Sequence, residues 1–177
     1  MTGTGNQRVW RVMGIYPNSE RIGLVVFEGP GRATGALIKS FPGARKSERA
    51  VRSTRRFLGL YQPNVLVLED CRGAASSRSP RIERLVDSIA MLAAWEGIDV
   101  VRFSRREIRN TFSPYAAWSR YAIAELIARE YPELRRRLPP PPKPGEYDCY
   151  GMVIFDAASL ALTYYANAAG QASSTTN

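Results

Sequence analysis

Residues 64–69, Asn-Val-Leu-Val-Leu-Glu, form a short unbroken apolar run that ends on a carboxylate. Pro63 stands just before the run and the polar loop 71–79 (CRGAASSRS) follows it. A run of this length with no polar alternation suits a strand covered on both faces, as in a parallel sheet. Working outward, residues 44–60 change period. Val51, Thr54, Phe57, Leu58 and Tyr61 recur at helical spacing, while Arg45, Arg49, Arg52, Arg55 and Arg56 take the other positions. Downstream, Ser79 is a natural N-cap with Pro80 at the first helical position. Ile82, Leu85, Val86, Ile89, Leu92 and Ala93 then mark an amphipathic helix to about Trp95, stopped by Gly97.

Residues 9–16 (VWRVMGIY) and 22–28 (IGLVVFE) read as strands joined by a short turn containing Pro17-Asn18-Ser19. Gly29-Pro30-Gly31 leads into a third strand at 33–40 (ATGALIKS). Residues 98–103 (IDVVRF) form a further strand, and Ser104 caps a short helix from Arg105 to Phe112. Helices are expected at about 117–130 and 152–167, separated by the stiff proline-rich stretch 138–144 (LPPPPKP). The fold class is therefore α/β. It is a mixed five-stranded sheet, three antiparallel strands and then two parallel ones, flanked by helices. One domain is expected over 9–167, with flexible termini at 1–8 and 168–177.

Composition limits the chemistry. The chain has 177 residues, 45% of them hydrophobic, which suffices for a core. It has no histidine and only two cysteines, Cys71 and Cys149, so imidazole bases, His-based triads and zinc patterns are excluded. A hard cation held by carboxylates is the readiest remaining catalyst. No apolar run is long enough to span a membrane, and Met1 to Arg8 lacks the apolar stretch of a secretory signal. The cytoplasm is the expected compartment and no membrane partner is expected. The net charge is +9, most of it Arg, and Arg suits bidentate phosphate contacts. DNA or RNA is the expected partner; a compositional bias toward Arg is the bland alternative.

The order of these segments and their local sequences resemble the RuvC Holliday-junction resolvases of the RNase H-like superfamily, over roughly residues 10–166. Gly14-Ile15-Tyr16-Pro17-Asn18 is similar to that family's Gly-Ile-Asp-Pro-Gly. Leu66-Val67-Leu68-Glu69 is similar to its fourth strand, and Phe155-Asp156-Ala157-Ala158 to its C-terminal helix. The resemblance implies metal-assisted phosphodiester hydrolysis by Mg²⁺ or Mn²⁺ held between convergent carboxylates. It also implies pairing of two copies on a two-fold junction. Glu69 and Asp156 stand at two of the implied carboxylate positions and are the candidate metal ligands and catalytic residues. Tyr16 and Val153 stand where two more are implied, and a neutral phenol is a weak ligand for such a cation.

Asp148 is a candidate replacement carboxylate, or an ordinary loop Asp; Glu20, Glu28 and Asp70 are weaker substitutes. Arg72, Arg78 and Arg81 follow the Glu69 strand and either grip phosphates or form a solvated face. Arg120 matches a position where the family carries a basic residue near its site. Arg102, Arg105, Arg106 and Arg109 form a separate charge cluster, and such runs are usually solvated. Tyr115, Trp118, Tyr147 and Tyr150 are candidates for stacking on bases or for packing under loops. Gly29-Pro30-Gly31 is a turn and not a phosphate loop. Two functions remain open. One is a divalent-metal-dependent endonuclease on branched or structured nucleic acid with a degenerate acidic site. The other is an inactive RuvC-like module that binds nucleic acid or protein.

Overall fold

The computed structural model describes residues 10–72, 77–145 and 149–174. Five strands form one sheet: β1 (Arg11–Pro17), β2 (Arg21–Glu28), β3 (Ala33–Ser40), β4 (Val65–Glu69) and β5 (Asp99–Phe103), in the order β3-β2-β1-β4-β5. β1 pairs antiparallel with β2, and β2 with β3. β1 and β4 run parallel, Val12 to Gly14 against Val65 to Val67, and β4 runs parallel with β5 up to Glu69 opposite Phe103. The expected mixed sheet is present. All five residues of β4 are buried, as an apolar strand covered on both faces must be.

The period-two alternation of the strands divides the core into two layers. On one face Met13, Ile15, Leu66 and Leu68 pack against α1 (Lys46–Tyr61) and α2 (Pro80–Trp95). On the other, Val12, Tyr16, Val65 and Val67 pack against α3 (Arg105–Phe112), α4 (Arg120–Glu130) and α6 (Met152–Ser174). A short α5 (Pro132–Arg135) follows α4. Glu69, two residues beyond Val67, shares the face of Tyr16.

The last helix lies almost directly on the strands. A Cβ added at Gly14 would sit 1.9 Å from the carbonyl oxygen of Ala157, and one at Gly23 would sit 2.0 Å from that of Val153. Only glycine permits that approach, and it fixes Asp156 between the two contacts. Two boundaries differ from the sequence expectation. α4 starts at Arg120, not 117, because the Ser119 hydroxyl accepts from the Ala122 amide at 3.0 Å and Ala116 is left-handed. α6 runs to Ser174, past the expected end at Asn167; the alanines of 168–174 extend the helix where a flexible tail was expected. Among the described residues no helix is long and apolar enough to cross a membrane.

Candidate functional site: an acidic pocket filled by arginines

Three elements converge where β1 and β4 end. Tyr16 lies near the end of β1, Glu69 closes β4, and Asp156 comes from the second turn of α6. β5 runs beside β4, and a capping box follows it directly. The Ser104 hydroxyl accepts from the Glu107 amide while the Glu107 carboxylate accepts from the Ser104 amide at 2.7 Å. That cap sets Arg105 at the first position of α3, beside Glu69. Ser119 does the same for Arg120 at the start of α4.

Arg105 Nε donates to Glu69 Oε1 at 2.7 Å, and its Nη2 donates to the Tyr16 hydroxyl at 2.5 Å. Its Nη1 lies 3.5 Å from Asp156 Oδ1, so one guanidinium bridges all three groups. Arg78 Nη1 donates to the Tyr16 hydroxyl at 2.9 Å and its Nη2 to the Pro17 carbonyl, while its Nε stands 3.2 Å from Glu69 Oε2. Arg120 grips Asp156 side-on, Nε to Oδ1 at 2.9 Å and Nη2 to Oδ2 at 2.5 Å. The three guanidinium carbons lie 4.6, 5.2 and 6.0 Å from the centre of the Tyr16 ring, for Arg78, Arg105 and Arg120 in turn. All three are within cation–π range.

Two carboxylates against three guanidinium groups leave the cluster with one net positive charge, because Tyr16 is neutral. Burial, with Asp156 and Glu69 adding to it, pushes the Tyr16 phenol up to about 12, against the pull of Arg105 and Arg78. Burial pulls the Arg105 pKa down, but Tyr16, Asp156 and Glu69 outweigh it and hold the group above its ordinary value. The carboxylates form the floor, with Glu69 2% and Asp156 4% exposed. The side chains of Arg105 and Arg120 are 37% and 32% exposed and form the rim.

This donor set does not fit a divalent cation. Among the described residues no group of three or more acidic or cysteine side chains is placed to hold a metal. Of the two carboxylates that do meet, Glu69 Oε1 and both Asp156 oxygens accept hydrogen bonds from guanidinium groups, and the buried Glu69 Oε2 has no hydrogen-bond donor but stands 3.2 Å from Arg78 Nε. At about 4 Å and an effective dielectric of about 20, each guanidinium repels every unit of cation charge by about 4 kcal/mol.

Of the residues singled out in the sequence, Tyr16, Glu69, Asp156, Arg78 and Arg120 are brought together here. Arg72 is exposed and bonds Asp70 at 3.2 Å instead. Arg81 lies apart, beside Lys46 and Ser47 at the start of α1. Asp148 and Tyr147 lie outside the described residues. Val153 is buried under β2, Glu20 pairs with Arg21, and Glu28 pairs with Arg11 at the far end of β1. Sequence reasoning missed Arg105, which it left in a charge cluster. The usable signal was Ser104-Arg105-Arg106-Glu107, a capping box placed directly after the strand that neighbours Glu69. Tyr115, Trp118 and Tyr150 are exposed, and Arg21 lies 5.0 Å over the Tyr150 ring.

No family model matches the chain. It is 24% identical over 160 residues to the crossover junction endodeoxyribonuclease RuvC of Synechococcus sp. (strain WH7803), covering 86% of this chain and 96% of that protein. The Thermus thermophilus RuvC structure superposes with a TM-score of 0.66 at 18% identity, covering 91% of this chain and 96% of that one. T. thermophilus RuvC in complex with Holliday junction substrate gives 0.65 at 17% identity, covering 90% and 96%. Over most of its length the chain is similar to RuvC in sequence and shares its fold, and Tyr16 stands where that resemblance implies the first carboxylate.

Proposed function

We propose that the chain binds branched DNA of the four-way-junction kind and that its central pocket does not perform metal-dependent cleavage. The observation that carries this reading is the convergence of Arg78, Arg105 and Arg120 on Tyr16, Glu69 and Asp156. A pocket of net positive charge attracts a phosphate backbone and disfavours Mg²⁺ or Mn²⁺. The net charge of +9 extends that attraction over the whole surface. The relatives support the choice of substrate, one being a crossover junction endodeoxyribonuclease and another RuvC with Holliday junction substrate. In this reading the cytoplasm is the compartment, consistent with Cys71 and Cys149 both being free. Binding as a pair of identical copies belongs to the same reading, since a junction presents two equivalent faces; light scattering with and without junction tests it.

A second reading, a metal-dependent endonuclease, is favoured by one observation: Glu69 and Asp156 are both present and are drawn to a single guanidinium. The discriminating experiment uses a labelled four-way junction, the matched duplex and a structured RNA. Fluorescence anisotropy across a salt series is expected to show preference for the junction and an affinity that falls steeply with salt. No binding at low salt overturns the proposal. Incubation with Mg²⁺ or Mn²⁺ is expected to leave the junction intact. Cleavage by the native chain that is lost in Glu69→Gln establishes the nuclease reading in its place.

A further inference from the structure

The pocket is built in two layers of opposite sign. Its floor holds Glu69 and Asp156, both almost fully buried. Its rim holds the guanidinium groups of Arg105 and Arg120, each with about a third of the side chain in water. An ion arriving from solvent meets the rim first. A guanidinium has five N–H donors, of which Arg105 commits one each toward Glu69, Tyr16 and Asp156. Tyr16 holds Arg78 and Arg105 together through one hydroxyl and one ring face, so like charges that would repel are kept adjacent. This is the donor arrangement of an oxyanion site: planar, forked, pre-ordered by a buried floor and positive in sum.

We propose that this pocket is an anion site that seats one phosphodiester group directly on Arg105 and Arg120, at the place where the fold's relatives are implied to hold divalent cations. The proposal rests on the DNA-binding reading for the source of the phosphate. The pocket chemistry itself asks only for a tetrahedral oxyanion carrying one ester substituent or two. Asp156 and Glu69 then act as positioning residues. They hold the guanidinium planes and do not touch the ligand.

The test separates the site from its source. Dimethyl phosphate and inorganic phosphate are titrated against the full chain, with the arginine Nε–H resonances followed by nuclear magnetic resonance. Saturable shifts confined to the pocket arginines are expected; their absence overturns the pocket claim whatever the junction does. In the second arm a four-way junction is measured across a salt series. Arg105→Gln is expected to lower the slope of log K against log salt by about 0.9, the value for one lost phosphate contact. An unchanged slope with intact binding overturns the pocket claim and leaves junction binding standing. Saturable binding of dimethyl phosphate with no junction binding does the reverse.

Because Arg105→Gln loosens the floor, Asp156→Asn provides an independent variant. It raises the pocket charge by one while keeping the shape of the side chain. Phosphate binding is expected to tighten roughly three- to tenfold. Unchanged or weaker binding, with the Arg105 and Arg120 Nε–H resonances showing both guanidinium groups still ordered, refutes an anion site. A parallel titration with Mn²⁺, followed by electron paramagnetic resonance, is expected to show no bound ion in the native chain. One tightly bound Mn²⁺ that Glu69→Gln removes also refutes it.

Discussion

Replacing Arg105 by Met keeps most of the aliphatic stem and removes one guanidinium from between two buried carboxylates. Glu69 loses a 2.7 Å charge-assisted bond, Asp156 loses a 3.5 Å ion pair, and Tyr16 loses one of its two donors. Removing one partner of a fully buried pair typically costs about 3–5 kcal/mol. Here the removed side chain was 37% exposed, so water replaces part of its interaction. Glu69 also keeps Arg78, and Asp156 keeps Arg120. Together these reduce the expected loss to about 2 kcal/mol. For a chain of 177 residues this lowers the melting temperature by about 4–8 °C.

Urea unfolding is the assay of choice, because a lower midpoint with an unchanged slope isolates a loss of stability. The double variant Arg105→Met with Glu69→Gln removes both charges together. It is expected to be more stable than the sum of the single changes by about 1 kcal/mol. The account of the pocket as a cluster of mutually stabilising ion pairs is refuted if Arg105→Met lies within about 0.5 kcal/mol of the native chain, or if the double variant is additive.

Tyr16 gives the pH dependence. Its folded pKa is about 12 against an unfolded value of 10.0, so the phenol is protonated in both states at neutral pH and the shift has no effect there. As pH rises through 10 the unfolded chain ionises first, and roughly 2–3 kcal/mol of stability is lost by pH 12. Unfolding measured at pH 9 and at pH 11.5 should show that loss in the native chain and a smaller one in Tyr16→Phe. At neutral pH, Tyr16→Phe leaves two guanidinium groups without their shared acceptor and should lower stability by about 1–2 kcal/mol in the same urea assay. Gly14→Ala sets a methyl group 1.9 Å from a helix carbonyl, which the backbone must move to relieve. A loss of about 3 kcal/mol or more is expected, read as a much lower melting temperature or insoluble expression. Addition of about 10 mM Mn²⁺ should leave the melting temperature of the native chain unchanged, since a native-state ligand stabilises in proportion to ln(1 + [L]/Kd). A rise that disappears in Glu69→Gln would contradict the assignment.

The fold was legible because its strands carry a strong signal. The run 65–69 had to be covered on both faces, and the resemblance to RuvC implied that the carboxyl ends of the first and fourth strands meet, which put Tyr16 beside Glu69. Glu69 and Asp156 stood out as carboxylates in apolar surroundings. The arginines were harder to read. Arg102, Arg105, Arg106 and Arg109 look alike in sequence, yet Arg102 bonds Asp87 at 2.8 Å, Arg106 and Arg109 are exposed, and Arg105 alone reaches the pocket. Which charge of a run turns inward depends on a helix start fixed to one residue, and periodicity does not resolve that. The extension of α6 past Asn167 was missed for a different reason. Its residues are small and polar, and their helical state comes from alanine content and continuity with a packed helix, without an apolar stripe of their own.

The changes in the pocket depend on one another. A metal pair in such a fold neutralises several converging carboxylates. With a tyrosine at position 16 and a valine at 153, two of the four implied carboxylates remain, Glu69 and Asp156, and both are almost fully buried. Buried charges without compensation are unstable, so the fold itself must bring cationic groups to them. Guanidinium groups from α3, α4 and the segment before α2 provide it, and Tyr16 gives them an aromatic face and a shared acceptor that an aspartate could not combine. Restoring aspartate at position 16 alone therefore places a third negative charge among three guanidinium groups and yields a neutral cluster, still closed to metal. Tyr16→Asp is expected to gain no Mn²⁺ binding by electron paramagnetic resonance. Tyr16→Asp with Arg105→Met, which leaves three carboxylates against two guanidinium groups, is the smallest change expected to admit the ion. Mn²⁺ binding to Tyr16→Asp alone would show that the arginines yield to a metal and that their convergence does not define the site.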